Sequence, residues 1–195
     1  SLVGAKVLRK EDPRLLNGTG RFVDDLSPTD CAFASFVMST EAHATIVSID
    51  VRAALATDGV VAVYTASDFA DFPDVPGGLP DLERPVLARN VVRFVGEPVA
   101  VVVAENRYAA ADGVQAVEVE YEPLPVMTTI ADATSAYATP LHPAHGSNVA
   151  TVVPMLDDLE RELDRCDHRA DLHLVNQRCA AVPIEPLACL ADWGV

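Results

Sequence analysis

Basic residues are scarce in this chain. Its 195 residues include 14 Lys and Arg against 29 Asp and Glu, a formal net charge of −15. Nucleic acid and anionic membrane surfaces are bound through clustered cations, so this balance argues against both as partners. Cysteine is scarce too. Cys31, Cys166, Cys179 and Cys189 lie far apart with no C-x-x-C pair, a spacing that fits neither a zinc knuckle nor an iron–sulfur run. Reduced thiols in a cytoplasmic protein are the expected state. The opening "SLVGAKVLRKEDPR" has no apolar core of the kind a signal peptide needs, and no apolar run is long enough to span a bilayer. The signatures of several chemistries are also lacking. There is no G-x-x-x-x-G-K-[ST] for a phosphate loop, no H-E-x-x-H or H-x-H for a metal, and no G-x-S-x-G for an activated serine. "NGTGRF" supplies G-x-G without a third glycine, a preceding apolar strand or a following helix, so the dinucleotide fingerprint is not met.

Half of the residues are hydrophobic, enough to fill the core of one good-sized domain, or of one domain and part of another. "EDPRLLNGTGRFVDDL" reads as a polar, turn-rich segment in which Gly18 and Gly20 permit tight geometry. "FASFVMST" and "TIVSIDV" read as strands, "RAALAT" as a short helix ending at Asp58-Gly59, and "VVAVYT" as a buried strand. Ser67 is placed to cap a helical turn at "SDFADF". Four prolines and a Gly-Gly pair in "FPDVPGGLPDLERP" predict a surface loop.

The most patterned stretch is "FVGEPVAVVVAENRYAAADGVQAVEVEYEPLP". It predicts a wholly apolar strand after Gly96-Glu97-Pro98 and a helix capped by Asn106. Ala109, Ala110, Gly113 and Val114 fall on one side of that helix, where small residues let it lie close to a sheet. An alternating strand with an acidic wet face follows. "TTIADATSAYATPLHPAHGSNVATVVP" reads as a wrapping segment, "DDLERELDRC" as a short helix with Asp at its start, and "ADLHLVNQR" and "PLACLADW" as two further strands. Strands are not regularly followed by long helices, so the expectation is an α/β or α+β domain and not a doubly wound nucleotide-binding fold.

Few residues nominate themselves for chemistry. Gly96 leaves room for another backbone beside a strand break. The adjacent Glu97 is a candidate base or domain-contact residue, against which stands the plainer reading of a solvated loop glutamate. Glu185, between Pro183 and Pro186, is either a residue entering a site or a polar bend between strands. His142 and His145 lie three apart, but Pro143 disfavours a shared helical face.

The segments "RKEDPRLLNGTGRFVDDL", "FASFVMSTEAHATIVSIDV", "ALATDGVVAVYTASDF", "VRFVGEPVAVVVAENRYAAADGVQAVEVEYEPLPV" and "VNQRCAAVPIEPLACLA" occur in this order. Together they resemble the N-terminal part of the large, molybdenum-binding subunit of molybdenum hydroxylases. That family includes xanthine dehydrogenase, aldehyde oxidase and aerobic carbon monoxide dehydrogenase, and the carbon-monoxide-dehydrogenase-like branch is the nearest in pattern. The resemblance implies an α/β hammerhead domain with an N-terminal arm over residues 1–130, built from short strands of a mixed sheet and a few short helices. It further implies a wrapping linker over 131–154 and the truncated start of a molybdopterin-binding domain over 155–195.

Large subunits of this family are several times longer, and their pterin contacts, substrate loop and catalytic glutamate lie beyond the matched segments. The resemblance therefore assigns this chain no catalytic, cofactor or metal residue. Gly96, Glu97 and Glu185 become candidate domain contacts. The implied parent reaction is oxidation at a molybdenum centre held by a molybdopterin-type cofactor, with water supplying the oxygen. Electrons would leave through iron–sulfur and flavin subunits, which this chain could dock. The expectation is a fragment inert by itself. The rivals are a stand-alone interaction or assembly protein that kept the hammerhead domain, and a small enzyme using Glu97 or Glu185. A terminal "PLACLADW" strand with an open edge also predicts self-association.

Overall fold

The computed structural model describes residues 3–26, 28–76, 82, 84–153, 159–176 and 179–192. The chain divides into two units, one running from Ala32 to Cys166 and the other formed by Ser1–Cys31 and Asp167–Val195.

The strands of the larger unit are β1 (Phe33–Met38), β2 (Ala44–Asp50), β3 (Val60–Thr65), β4 (Val91–Val92), β5 (Pro98–Ala104) and β6 (Glu118–Pro123). They form two three-stranded sheets, ordered β1-β5-β3 and β4-β2-β6. Every pairing among the described residues is antiparallel, so the expected mixed sheet is replaced by two antiparallel ones. The reason lies in the placement of β5. It enters between β1 and β3 and runs opposite to both.

The apolar sequence of β5 follows from its central position. Val99, Ala100, Val102 and Ala104 are fully buried; the first three join Val37 of β1 and Ala44 and Val92 of the other sheet in the core, and Ala104 packs with Ala109 and Ala110 in a smaller cluster. Ile46 and Ile49 of β2 and Val119 and Tyr121 of β6 close that core from the second sheet. Each fully buried valine contributes about 1.5–3 kcal/mol relative to exposure. β3, expected to be buried, is instead an edge strand whose one strand partner among the described residues is β5, and Val61 is largely exposed.

Helix α3 (Arg107–Gln115) packs on the β1-β5-β3 sheet. Its N-cap is Asn106, whose Oδ1 accepts from the Tyr108 and Ala109 amides at 3.0 Å each. Ala109, Ala110 and Gly113 form the buried face. A Cβ on Gly113 would lie 2.8 Å from methyls of Val102 and Val60, so the glycine is what lets helix and sheet touch. The turn after β3 is a 3-10 helix over Ala66–Phe69, but its cap is Thr65 and not Ser67. The cap lies two residues before the one expected, and the Asp68 carboxylate accepts from the Thr65 amide at 2.7 Å.

Helix α2 is the short Arg52–Leu55. The proline-rich loop is pinned at its ends by an isolated antiparallel bridge between Val75 and Arg84; residues 77–81 and 83 lie outside the described set. Helix α4 (Ile130–Ala133), capped by Thr129, and helix α5 (Leu159–Leu163) complete this unit. The acidic start expected for α5, at Asp157 and Asp158, lies outside the described residues.

In the smaller unit, "EDPRLL" winds into helix α1 (Asp12–Leu16), a local structure that Pro13 at its first turn permits. The two strands expected in "ADLHLVNQR" and "PLACLADW" do not form among the described residues, and Leu172, Leu174, Val175 and Leu187 are exposed. Their alternating pattern found no ladder partner, and a strand without one is not a stable element. No helix among the described residues is long and apolar enough to cross a membrane.

Candidate functional site

Between β4 and β5 the chain makes a tight turn through Arg93, Phe94, Val95, Gly96 and Glu97. Gly96 adopts φ +90°, a region that costs a residue with a Cβ about 1–2 kcal/mol. A Cβ there would meet nothing within 4 Å, so backbone conformation, and not the close approach read from the sequence, is what requires the glycine. The turn is clipped to the end of β1 by two hydrogen bonds of 2.8 Å. Gly96 N–H donates to Ser39 O, and Ser39 N–H donates to Glu97 O. Ser39 is buried, and its hydroxyl is satisfied locally, donating to Glu41 O and accepting from Glu41 N–H.

Glu97 is not the solvated loop residue of the plainer reading, being only 7% exposed. Its Oε2 accepts from the Arg93 backbone N–H at 2.5 Å, and its Oε1 lies 4.0 Å from the Arg93 guanidinium. The guanidinium in turn donates to Val91 O at 3.3 Å and to Leu141 O at 3.2 Å. Arg93 and Glu97 thus form a latch tying the turn to itself, to β4 and to residues 139–149. A buried carboxylate is tolerated only where it is hydrogen-bonded and charge-paired, and this geometry supplies both.

The latch forms one wall of a cleft of about 620 Å³ in which Arg84, His142, Phe36 and Phe94 also take part. His142 is half-buried there. Desolvation pushes its imidazole pKa below the ordinary value, the Arg93 charge and His145 push the same way, and the Glu97 carboxylate opposes them. His145 faces its own segment, with Nε2 2.9 Å from Val149 O, and His43 Nδ1 is 2.8 Å from Pro125 O.

Glu185 is exposed and belongs to the smaller unit, whereas Gly96 and Glu97 belong to the larger one. His168 and His173 are exposed residues of the smaller unit. No disulfide joins the four cysteines. Among the described residues no three His, Cys, Asp or Glu side chains come together as a metal ligand set. Sequence reasoning missed Arg93, Ser39 and His142 as partners of Glu97. The i,i+4 spacing of Arg93 and Glu97 across a glycine turn does not by itself show that Arg93 folds back on the glutamate.

Residues 17–125 match the family model described as "Aldehyde oxidase and xanthine dehydrogenase, a/b hammerhead domain". The chain is 35% identical to the 6-hydroxypseudooxynicotine dehydrogenase complex subunit gamma of Paenarthrobacter nicotinovorans, over 97% of this chain and 25% of that protein. It is 44% identical to the carbon monoxide dehydrogenase large chain of Afipia carboxidovorans, over 64% of this chain and 16% of the relative. Among solved structures it superposes on the Cu,Mo-CO dehydrogenase in its carbon-monoxide-reduced state with a TM-score of 0.58 and 42% identity. That match covers 70% of this chain and 17% of the other. The chain therefore spans a quarter or less of the length of these relatives. It belongs to the aldehyde oxidase and xanthine dehydrogenase family, of which residues 17–125 form the a/b hammerhead domain.

Proposed function

We propose that the chain is the N-terminal part of the molybdenum-binding large subunit of a carbon-monoxide-dehydrogenase- or aldehyde-oxidase-like oxidoreductase, and that its role there is structural. Residues 1–130 serve as the hammerhead domain with its arm, 131–154 as the linker, and 155–195 as the opening of a molybdopterin-binding domain. Gly96, Glu97 and Glu185 act in domain contact and not in bond making. The oxidation takes place outside this chain, in a cytoplasmic complex whose further domains and iron–sulfur and flavin subunits it helps to seat. The observation that carries this reading is the hammerhead match over residues 17–125, in relatives of which the whole chain spans 25% or less. The inward-turned Glu97 supports it, since both carboxylate oxygens face Arg93 and the side chain has little access to a substrate proton.

The test is the molybdenum content of the purified chain, made in a host that synthesises the pterin cofactor. Negligible metal is the expected result. Close to one molybdenum per chain would overturn the assignment of the chemistry to other domains.

A further inference from the structure

The segment over residues 139–149 is folded on itself. Asn148 organises it, its Oδ1 accepting from Leu141 N–H at 2.7 Å and its Nδ2 donating to Thr139 O at 3.1 Å and Ala133 O at 3.2 Å. Gly146 N–H closes back on His142 O at 3.3 Å, and the His145 ring meets Val149 O at 2.9 Å. Arg93 Nε–H joins the segment to the β4–β5 turn by donating to Leu141 O at 3.2 Å, and the next residue, His142, lines the cleft beside Arg93 and Glu97.

We propose that residues 139–149 form a pH-gated strap, which lies against the Arg93–Glu97 latch while the His142 ring is neutral and lifts away when that ring takes up a proton. The argument is one of charge and solvation. The charged groups acting on the ring are the Arg93 guanidinium and Glu97 carboxylate of the turn and His145 of the strap itself, and Arg84, at the end of the proline-rich loop, lines the same cleft. An imidazolium added to that set brings a third positive group against a single carboxylate that Arg93 already engages. The cation is better hydrated outside the cleft, and leaving it together with the strap breaks the Arg93–Leu141 bond.

The sign follows from linkage. The proton binds less readily in the strapped state than to an ordinary imidazole, whose pKa is about 6.5. The strapped state is therefore favoured above that value and loses ground as pH falls below it.

Amide hydrogen exchange on the full chain at pH 7.5 and pH 5.5, corrected for the intrinsic chemical rate, reads this directly. The expected result is a several-fold rise in opening of the Leu141 and Gly146 amides at the lower pH, with the β5 amides unchanged. H142Q should abolish the rise, and H145Q should retain it. A flat strap response in the unaltered chain would overturn the proposal. So would a rise that persists in H142Q, or one that β5 shares. Should H142Q fail to fold, the NMR titration of His142 in the unaltered chain decides: a midpoint below the ordinary imidazole value supports the strap, and one at or above it overturns it.

Discussion

Asp50 and Arg52 show how far one residue can act on another without any core behind it. The Arg52 guanidinium grips the exposed Asp50 carboxylate at 2.5 Å, and the Arg52 amide donates to the same group at 3.0 Å. The side-chain bond, helped by that amide, holds the Asp50 pKa at about 2, below its ordinary 3.8. The sign is that of a depressed carboxylate. Its contribution to stability is in place above the ordinary carboxylate value, about 3.9, and is lost as pH falls toward 2. Arg52→Ala should move the Asp50 NMR titration midpoint back toward 3.8, stopping short of it because the backbone donor remains. An unmoved midpoint would contradict the assignment.

Glu97 differs because it is buried. Glu97→Ala leaves the Arg93 amide without its acceptor, a cost of about 1–3 kcal/mol, read as a lower urea midpoint at constant slope. Glu97→Gln keeps an acceptor oxygen and should cost less. Equal losses would show that charge, and not the hydrogen bond, carries the contact. Little of this was legible beforehand. The sequence marked Gly96-Glu97 as a break in a strand. Whether the glutamate faces water depends on Arg93 folding back and on Leu141 arriving from a distant segment, and neither is written in local pattern.

At the scale of elements, the legible parts were those whose causes are local. Helix α3 was readable because its cap, its small-residue face and its end all lie within ten residues or so. Gly113→Val tests the close packing this face permits. The added side chain would collide with Val102 and Val60, both branched and buried or half-buried, and should destabilise the chain by about 1–3 kcal/mol. A neutral result in urea unfolding would mean that the helix can move off the sheet freely.

Strands were less legible, because alternation specifies a face and not a neighbour. "VVAVYT" has the composition of a buried strand, yet it occupies an edge. "ADLHLVNQR" and "PLACLADW" have alternating or apolar patterns as good as that of β1 but pair with nothing among the described residues. Helix α1 was hidden by the opposite effect, since the turn-forming residues around it masked one short local helix.

At the scale of the whole molecule, the larger unit holds a core drawn from both sheets, and no cofactor-binding side chain is needed to fill it. In the role proposed for it, the hammerhead would be stable by its own packing and would lend that rigidity to chemistry performed elsewhere. Anything that binds the folded state alone must raise its apparent stability. The most direct measurement is therefore the urea unfolding midpoint of the chain purified from two hosts, one able and one unable to make the molybdenum–pterin cofactor. Identical midpoints are predicted. A higher midpoint from the cofactor-competent host, lost on chelation or cofactor extraction, would mean that these 195 residues form a cofactor site of their own and would contradict the account.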